Sequence, residues 1–476
     1  MKNPSTPPTG TKRRLLLGIL YPVICVFVAF GTARFIRKHD QDLQMNQSTS
    51  PPTPVLTPDT ILNGLPQPDL NTPTGKTLAA AILKTRETPN RAENWVQTGE
   101  ALAQLQRDSE NSRFYDSAEA VYQEALRLRP DSVGALAGMA WVTGGRHRFD
   151  QSIAWANQAL KHDPDHTAAY GILGDAALEL GDYDAAFEHY QKMMDLRPDL
   201  SSLSRGAHLL WVTGDKSKAM WLMGKAINAG APFAENTAWC RTRMATMLFH
   251  DGALLPAEKA IQPSLDAGLK NPHLLLIAAR IAAAKADFPA AEKYYRTILE
   301  AGPDQQALAG LGDLAAVQGN PVEAEKFYQH VESIHAGHLE NGTHDHGFMA
   351  KFLADHDRNL VQALRMVEEH KLTRNVQEAD TLAWVYYKNG KMPQAIAAMK
   401  KALSQKTPDA EIHYHAGMIA SAHGDLTSAK KHLEEALTMN PNFSIIQAPL
   451  ALKALQQIDG RKSLGSTDAP ERRETP

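Results

Sequence analysis

Pro130, Pro164 and Pro198 stand 34 residues apart, and the windows between them repeat one pattern of small and apolar residues. In the window that ends at Pro198, Tyr170, Leu173, Gly174, Gly181, Ala186 and Tyr190 hold the recurring positions. A fixed period of this length belongs to stacked helical hairpins, in which no unit buries its apolar face alone and each neighbour completes the core. The period therefore predicts an all-α solenoid, and it overrides the estimate of about three domains that 476 residues alone give.

The small residues mark where the two helices of a hairpin cross: Gly99, Gly174, Gly417, Ala186, Ala395 and Ala429. Tyr122, Tyr190, Tyr295 and Tyr328 fill the space between units. Gly181, Gly319, Gly390 and Gly424 fall at turns, where a left-handed backbone is easy for glycine. These marks resolve about ten units. The first starts near Trp95 with an extra stretch, Asp108 to Phe114, in its turn; the fourth and fifth centre on Gly214 and Gly252; the sixth ends at Pro303; the eighth, Phe352 to Val367, departs from the pattern. Phe443 to Leu455 is predicted to cap the array, and Thr77 to Arg86 to lead it.

The windows resemble tetratricopeptide repeats (TPR), which place a bulky residue, a Leu, a small residue and an aromatic on the first helix, then Ala, aromatic, Ala and a closing Pro. The resemblance covers roughly Ala92 to Phe443. It implies a right-handed TPR superhelix whose first helices line a concave groove for an extended peptide or a partner helix. Groove positions, one and four residues after the small residue of the first helix, are then Trp141, Asp175, Leu178, His208, Trp211, Phe249, Asp313, Trp384, Tyr387 and Met418, joined by Tyr414. Tryptophan, tyrosine and methionine are enriched at binding hot spots, although aromatics at these positions also pack between repeats. Glu100, Asp175, Glu179 and Asp313 would repel a terminal carboxylate, which some members of the family grip.

Lys12, Arg13 and Arg14 precede an apolar run, Leu15 to Gly31. Seventeen helical residues span roughly 26 Å, and extension to Ile36 reaches the ~30 Å of a hydrocarbon core. The run is predicted to be a transmembrane anchor (15–36) behind a basic segment (1–14); a cleaved signal peptide, ending at Gly31-Thr32-Ala33, is the competing reading. The excess of positive charge before the run places the N-terminus in the cytoplasm and the repeats outside it, in the periplasm if the source is bacterial. Residues 37–76 are rich in Pro and Thr and read as an extended linker, residues 77–458 as the solenoid, and residues 459–476 as a disordered tail.

Acidic residues outnumber basic ones by 53 to 50, so there is no basic excess to mark a nucleic-acid footprint. No phosphate loop, dinucleotide fingerprint, zincin motif, nucleophile elbow or paired-cysteine metal site occurs. The array is thus expected to bind rather than to catalyse, and to need no cofactor. One segment points elsewhere: His335, His338, His344 and His346 crowd the irregular eighth unit and are candidate ligands for a divalent transition metal, or else a polar loop. His413 and His415, in the first helix of the last unit, read as an ordinary helix-surface pair. The leading expectation is a membrane-tethered protein-interaction scaffold or assembly factor. The alternatives are a His-rich metal-handling envelope protein, chaperone-like, and a purely structural spacer.

Overall fold

The computed structural model describes residues 57–465, apart from 110, 231–233, 342–345 and 371–373. Contacts divide the chain into Met1–Thr60 and Ile61–Pro476, and the described helices from Pro73 onward all belong to the second unit. The basic segment, the predicted anchor at 15–36 and most of the linker lie outside the described residues. Among the described residues no helix is long and apolar enough to cross a membrane.

Twenty-three helices and no strands occur among the described residues. Two precede the array: α1 (Pro58–Gly64) and α2 (Pro73–Glu87). Ten hairpins follow. They are α3/α4 (Ala92–Ser109, Arg113–Leu128), α5/α6 (Val133–Gly145, Phe149–His162), α7/α8 (Thr167–Glu179, Tyr183–Leu196), α9/α10 (Leu200–Val212, Lys216–Ala229) and α11/α12 (Ala234–His250, Leu254–Asp266). Next come α13/α14 (Pro272–Ala284, Phe288–Ala301), α15/α16 (Gln305–Val317, Pro321–Asn341), α17/α18 (His346–Asp355, Leu360–Glu369), α19/α20 (Val376–Lys388, Met392–Ala402) and α21/α22 (Ala410–His423, Leu426–Met439). A last helix, α23 (Gln447–Gly465), packs on α22.

Two boundaries differ from the sequence reading. Pro58 and Pro73 open helices, where a missing N–H costs nothing, so the stretch read as linker is helical over Pro58–Gly64 and again from Pro73. The predicted tail begins too early, because α23 runs to Gly465; residues 466–476 lie outside the described residues.

A short signal builds the third, fourth and tenth hairpins. Gly181, Gly214 and Gly424 adopt positive φ and end the first helix. The aspartate that follows each of them caps the second helix: Asp182 accepts from Ala185 N (3.1 Å), Asp215 from Lys218 N (3.2 Å) and Asp425 from Ser428 N (3.0 Å). In the sixth hairpin Ala286 takes the left-handed position at φ 59°, and Asp287 caps by accepting from Ala290 N. Tyrosines then set the crossing distance. A Cβ on Gly99 or Gly138 would run into the ring of Tyr122, and one on Gly174 or Gly312 into Tyr190 or Tyr328. The hydroxyls of Tyr190 and Tyr328 donate to Asp175 and Asp313, each at 2.8 Å. The apolar core is a series of eight clusters strung along the array, from Ile61–Leu62 at one end to Ala451–Ile458 at the other.

The array also closes on itself. Asn375 Nδ2 donates to the carbonyl of Glu179 (3.2 Å), Thr407 Oγ1 to Val212 (2.5 Å) and Asn440 Nδ2 to Phe249 (2.6 Å), across 196, 195 and 191 residues. These rungs join the ends of α7, α9 and α11 to the starts or approaches of α19, α21 and α23. Val376 N donates to Tyr183 Oη (3.0 Å) beside the first rung. At the third, a Cβ on Gly252 would stand 2.9 Å from the carbonyl oxygen of Met439. Successive turns of the solenoid therefore touch, about six hairpins apart.

Candidate functional site

The first helices of six hairpins, α3, α5, α7, α9, α11 and α13, wall one cavity of about 890 Å³. Its lining includes Trp141, Asp175, Leu178 and His208, four of the eleven predicted groove residues. Beside it Gln104 Nε2 on α3 donates to Glu235 Oε2 (3.3 Å) and Asn236 Oδ1 (3.4 Å) on α11.

The wall carries arginines that the sequence reading did not select. Arg205 holds Asp175 through Nε and Nη2, both at 2.9 Å. Burial opposes the Arg205 charge, but Asp175 more than offsets it and raises the pKa. Asp175 is thus committed to Arg205 and Tyr190. Arg107 and Arg243 form no ion pair among the described residues. Arg107 lies 6.0 Å from the Trp141 ring centroid and donates to Gln104 Oε1 (2.7 Å); Arg243 lies 5.4 Å from Trp239 and donates to His208 Nε2 (3.0 Å). Burial lowers the pKa of both. Burial and the Arg243 charge hold His208 well below the usual histidine value, while burial raises Glu100 and Glu179. The cavity is therefore cationic and aromatic as well as acidic. The rule of one and four residues after the small residue looked only forward along each helix, whereas Arg205 precedes Gly206 by one position and Arg243 precedes Ala245 by two.

Several predicted groove residues are packing residues. Trp211 (7% exposed), Phe249 (1%), Trp384 (2%) and Tyr414 (2%) are buried between hairpins. Trp384 stacks on His415 at 4.2 Å and 19° and meets Tyr387 at 5.0 Å and Tyr414 at 5.6 Å. Tyr387 and Met418 are half-buried against the same cluster. Asp313 accepts from Tyr328 and pairs with His356 at 2.8 Å. Side chains of the neighbouring hairpin fill the space that a continuous groove would have left.

Beneath these aromatics runs a buried ionic network. His415 Nδ1 faces Asp380 at 2.9 Å, and Lys351 Nζ bridges Asp355 and Glu411 at 2.6 Å each. His415 is wholly buried, so it is no surface histidine. Burial disfavours the Lys351 charge, yet its two carboxylates raise the pKa; burial raises Asp380, opposed by His415.

Of the predicted metal ligands, His335 is buried with its ring 6.0 Å from that of His346, which stacks on His370 at 3.4 Å. His338 falls on α16, and His344 lies outside the described residues. Among the described residues two clusters of three metal-ligating side chains occur, neither in this segment: His413–His432–Glu435 and Asp355–Glu411–His415.

Three stretches, residues 137–201, 276–336 and 381–443, match the tetratricopeptide repeat family model. The chain is 31% identical over 115 residues to the formate-dependent nitrite reductase complex bifunctional subunit NrfFG of Haemophilus influenzae, covering 24% of this chain and 28% of that protein. It is 27% identical over 111 residues to the cytochrome c-type biogenesis protein CycH of Pseudomonas aeruginosa, covering 23% and 26%. This chain thus spans little more than a quarter of either relative. The crystal structure of PilW, a widely conserved type IV pilus biogenesis factor, superposes with a TM-score of 0.37 at 17% identity, covering 42% of this chain and 92% of that one. Repeat period, hairpin geometry and the three matched stretches together identify tetratricopeptide repeats in this chain.

Proposed function

We propose that the protein is a membrane-tethered scaffold or assembly factor that seats an extended segment of a partner protein in the cavity, without chemistry. One observation carries the reading: Arg107 and Arg243, each beside a tryptophan and neither paired with a carboxylate among the described residues, face a cavity built from six first helices. A segment with an acidic residue next to an apolar one suits such a wall, since the carboxylate would meet a guanidinium in low dielectric. This revises the acidic groove expected from sequence. The names of the relatives, a nitrite reductase complex subunit and a cytochrome c biogenesis protein, support assembly as the setting. The tether rests on the apolar run after Lys12–Arg14, with the N-terminus cytoplasmic and the repeats outside the cytoplasm.

Site-specific photo-crosslinking in cells tests both parts. A photoreactive residue at Leu178, in the cavity, should give a discrete adduct in the carbonate-washed membrane fraction, and Arg243→Ala should abolish it. The same residue at Trp221, exposed on α10, should give none. Equal adducts from both positions would overturn the cavity reading; release of the full-length chain by carbonate would overturn the tether.

A further inference from the structure

His413 on α21, with His432 and Glu435 on α22, brings three donor atoms together across the last hairpin. His413 Nδ1 lies 3.2 Å from His432 Nδ1 and 3.0 Å from Glu435 Oε2, and His432 Nδ1 lies 3.2 Å from the same oxygen. A carboxylate oxygen only accepts, and each Nδ1 either accepts or carries one proton. With both Nδ1 atoms unprotonated, three lone pairs converge on one point where a cation can sit; otherwise a shared proton bridges them.

We propose that this point binds a divalent transition ion of the zinc class, held by two imidazoles and one carboxylate. The metric fit is direct. Bonds of about 2.0–2.2 Å from donors at these separations set the ion about 1 Å out of their plane, with ligand–metal–ligand angles of about 100°. Two nitrogen donors select against Mg²⁺ and Ca²⁺, which take oxygen shells. The side chains of His413 and His432 are 17% and 19% exposed and that of Glu435 is 39% exposed, so an ion can enter and water can complete its shell. The second cluster is a useful contrast: Lys351 Nζ already stands 2.6 Å from Asp355 and from Glu411, and its ammonium takes the place of an ion. In the first cluster the nearby lysine, Lys431, reaches only the other carboxylate oxygen of Glu435, at 4.0 Å. A bound ion would tie α21 to α22 at the end of the array.

The test is chelator competition with Zn²⁺ on the full-length chain in detergent, beside the visible spectrum of the Co²⁺ form. Wild type should bind one equivalent that millimolar Mg²⁺ does not displace. His423→Ala, an exposed histidine on the same helix, should match it. His432→Ala and Glu435→Gln should each weaken binding by at least about tenfold and lose the Co²⁺ bands. Glu435→Gln is nearly isosteric and carries the result if His432→Ala fails to fold. Equal affinity in all four proteins, or no Zn²⁺ bound by wild type, would overturn the site.

Discussion

At the scale of the residue, position in the repeat foretold packing better than exposure. Gly99, Gly174 and the tyrosines above them were legible because a ring over a bare Cα recurs with the period. Trp384 was misread because its surroundings, His415 and Tyr414 from the next hairpin and Tyr387 beside it, close over it in a way that no single window encodes. His208 carries a consequence for pH. Protonated, it would face the Arg243 guanidinium in a buried wall, so its folded pKa lies well below the unfolded value of about 6.5. Between that value and the depressed folded one the unfolded chain binds the extra proton, so stability falls as pH drops below about 6.5, by up to about 1.4 kcal/mol per pH unit from this group. His166, His189 and His273, lowered by burial, act in the same direction. Urea denaturation between pH 7.5 and 5.5 should show a shallower loss for His208→Gln than for wild type; parallel curves would refute the assignment.

At the scale of the element, the turn chemistry is local and could be read directly. Glycine followed by aspartate closes one helix and caps the next within four residues in the third, fourth and tenth hairpins. The sixth hairpin breaks the rule with Ala286 at φ 59°. A non-glycine residue held there costs on the order of 1 kcal/mol. Ala286→Gly is therefore expected to stabilise the protein by up to about 1 kcal/mol, since the cap from Asp287 stays in place. Chemical denaturation measures this, and a loss of stability would mean that the alanine methyl packs to more effect than its backbone strains. The eighth hairpin was the least legible. Its helices are ten residues each, too short to show the full pattern, yet Phe352 and Leu353 still enter the core.

At the scale of the whole repeat unit, the contacts between turns were invisible in the sequence. Each rung is one polar residue per repeat, and its partner is a backbone carbonyl some 190 residues away, which has no sequence identity to recognise. In retrospect Asn375, Thr407 and Asn440 follow the repeat period themselves. A buried side-chain hydrogen bond to a carbonyl contributes about 1 kcal/mol, and more when its loss strands a partner. The triple variant Asn375→Ala, Thr407→Ala, Asn440→Ala should loosen the winding and raise the radius of gyration of the array in X-ray scattering. An unchanged scattering profile would show that apolar packing alone holds the turns.

The ladder of rungs also changes how such a chain comes apart. A linear stack of repeats frays from its ends, each unit answering only to its neighbours. Here the ninth and tenth hairpins and the last helix, entered at Asn375, Thr407 and Asn440, are bonded to its middle, so they brace the third, fourth and fifth hairpins. Melting then becomes a shared event rather than a peeling one, and folding must wait for contacts distant in sequence.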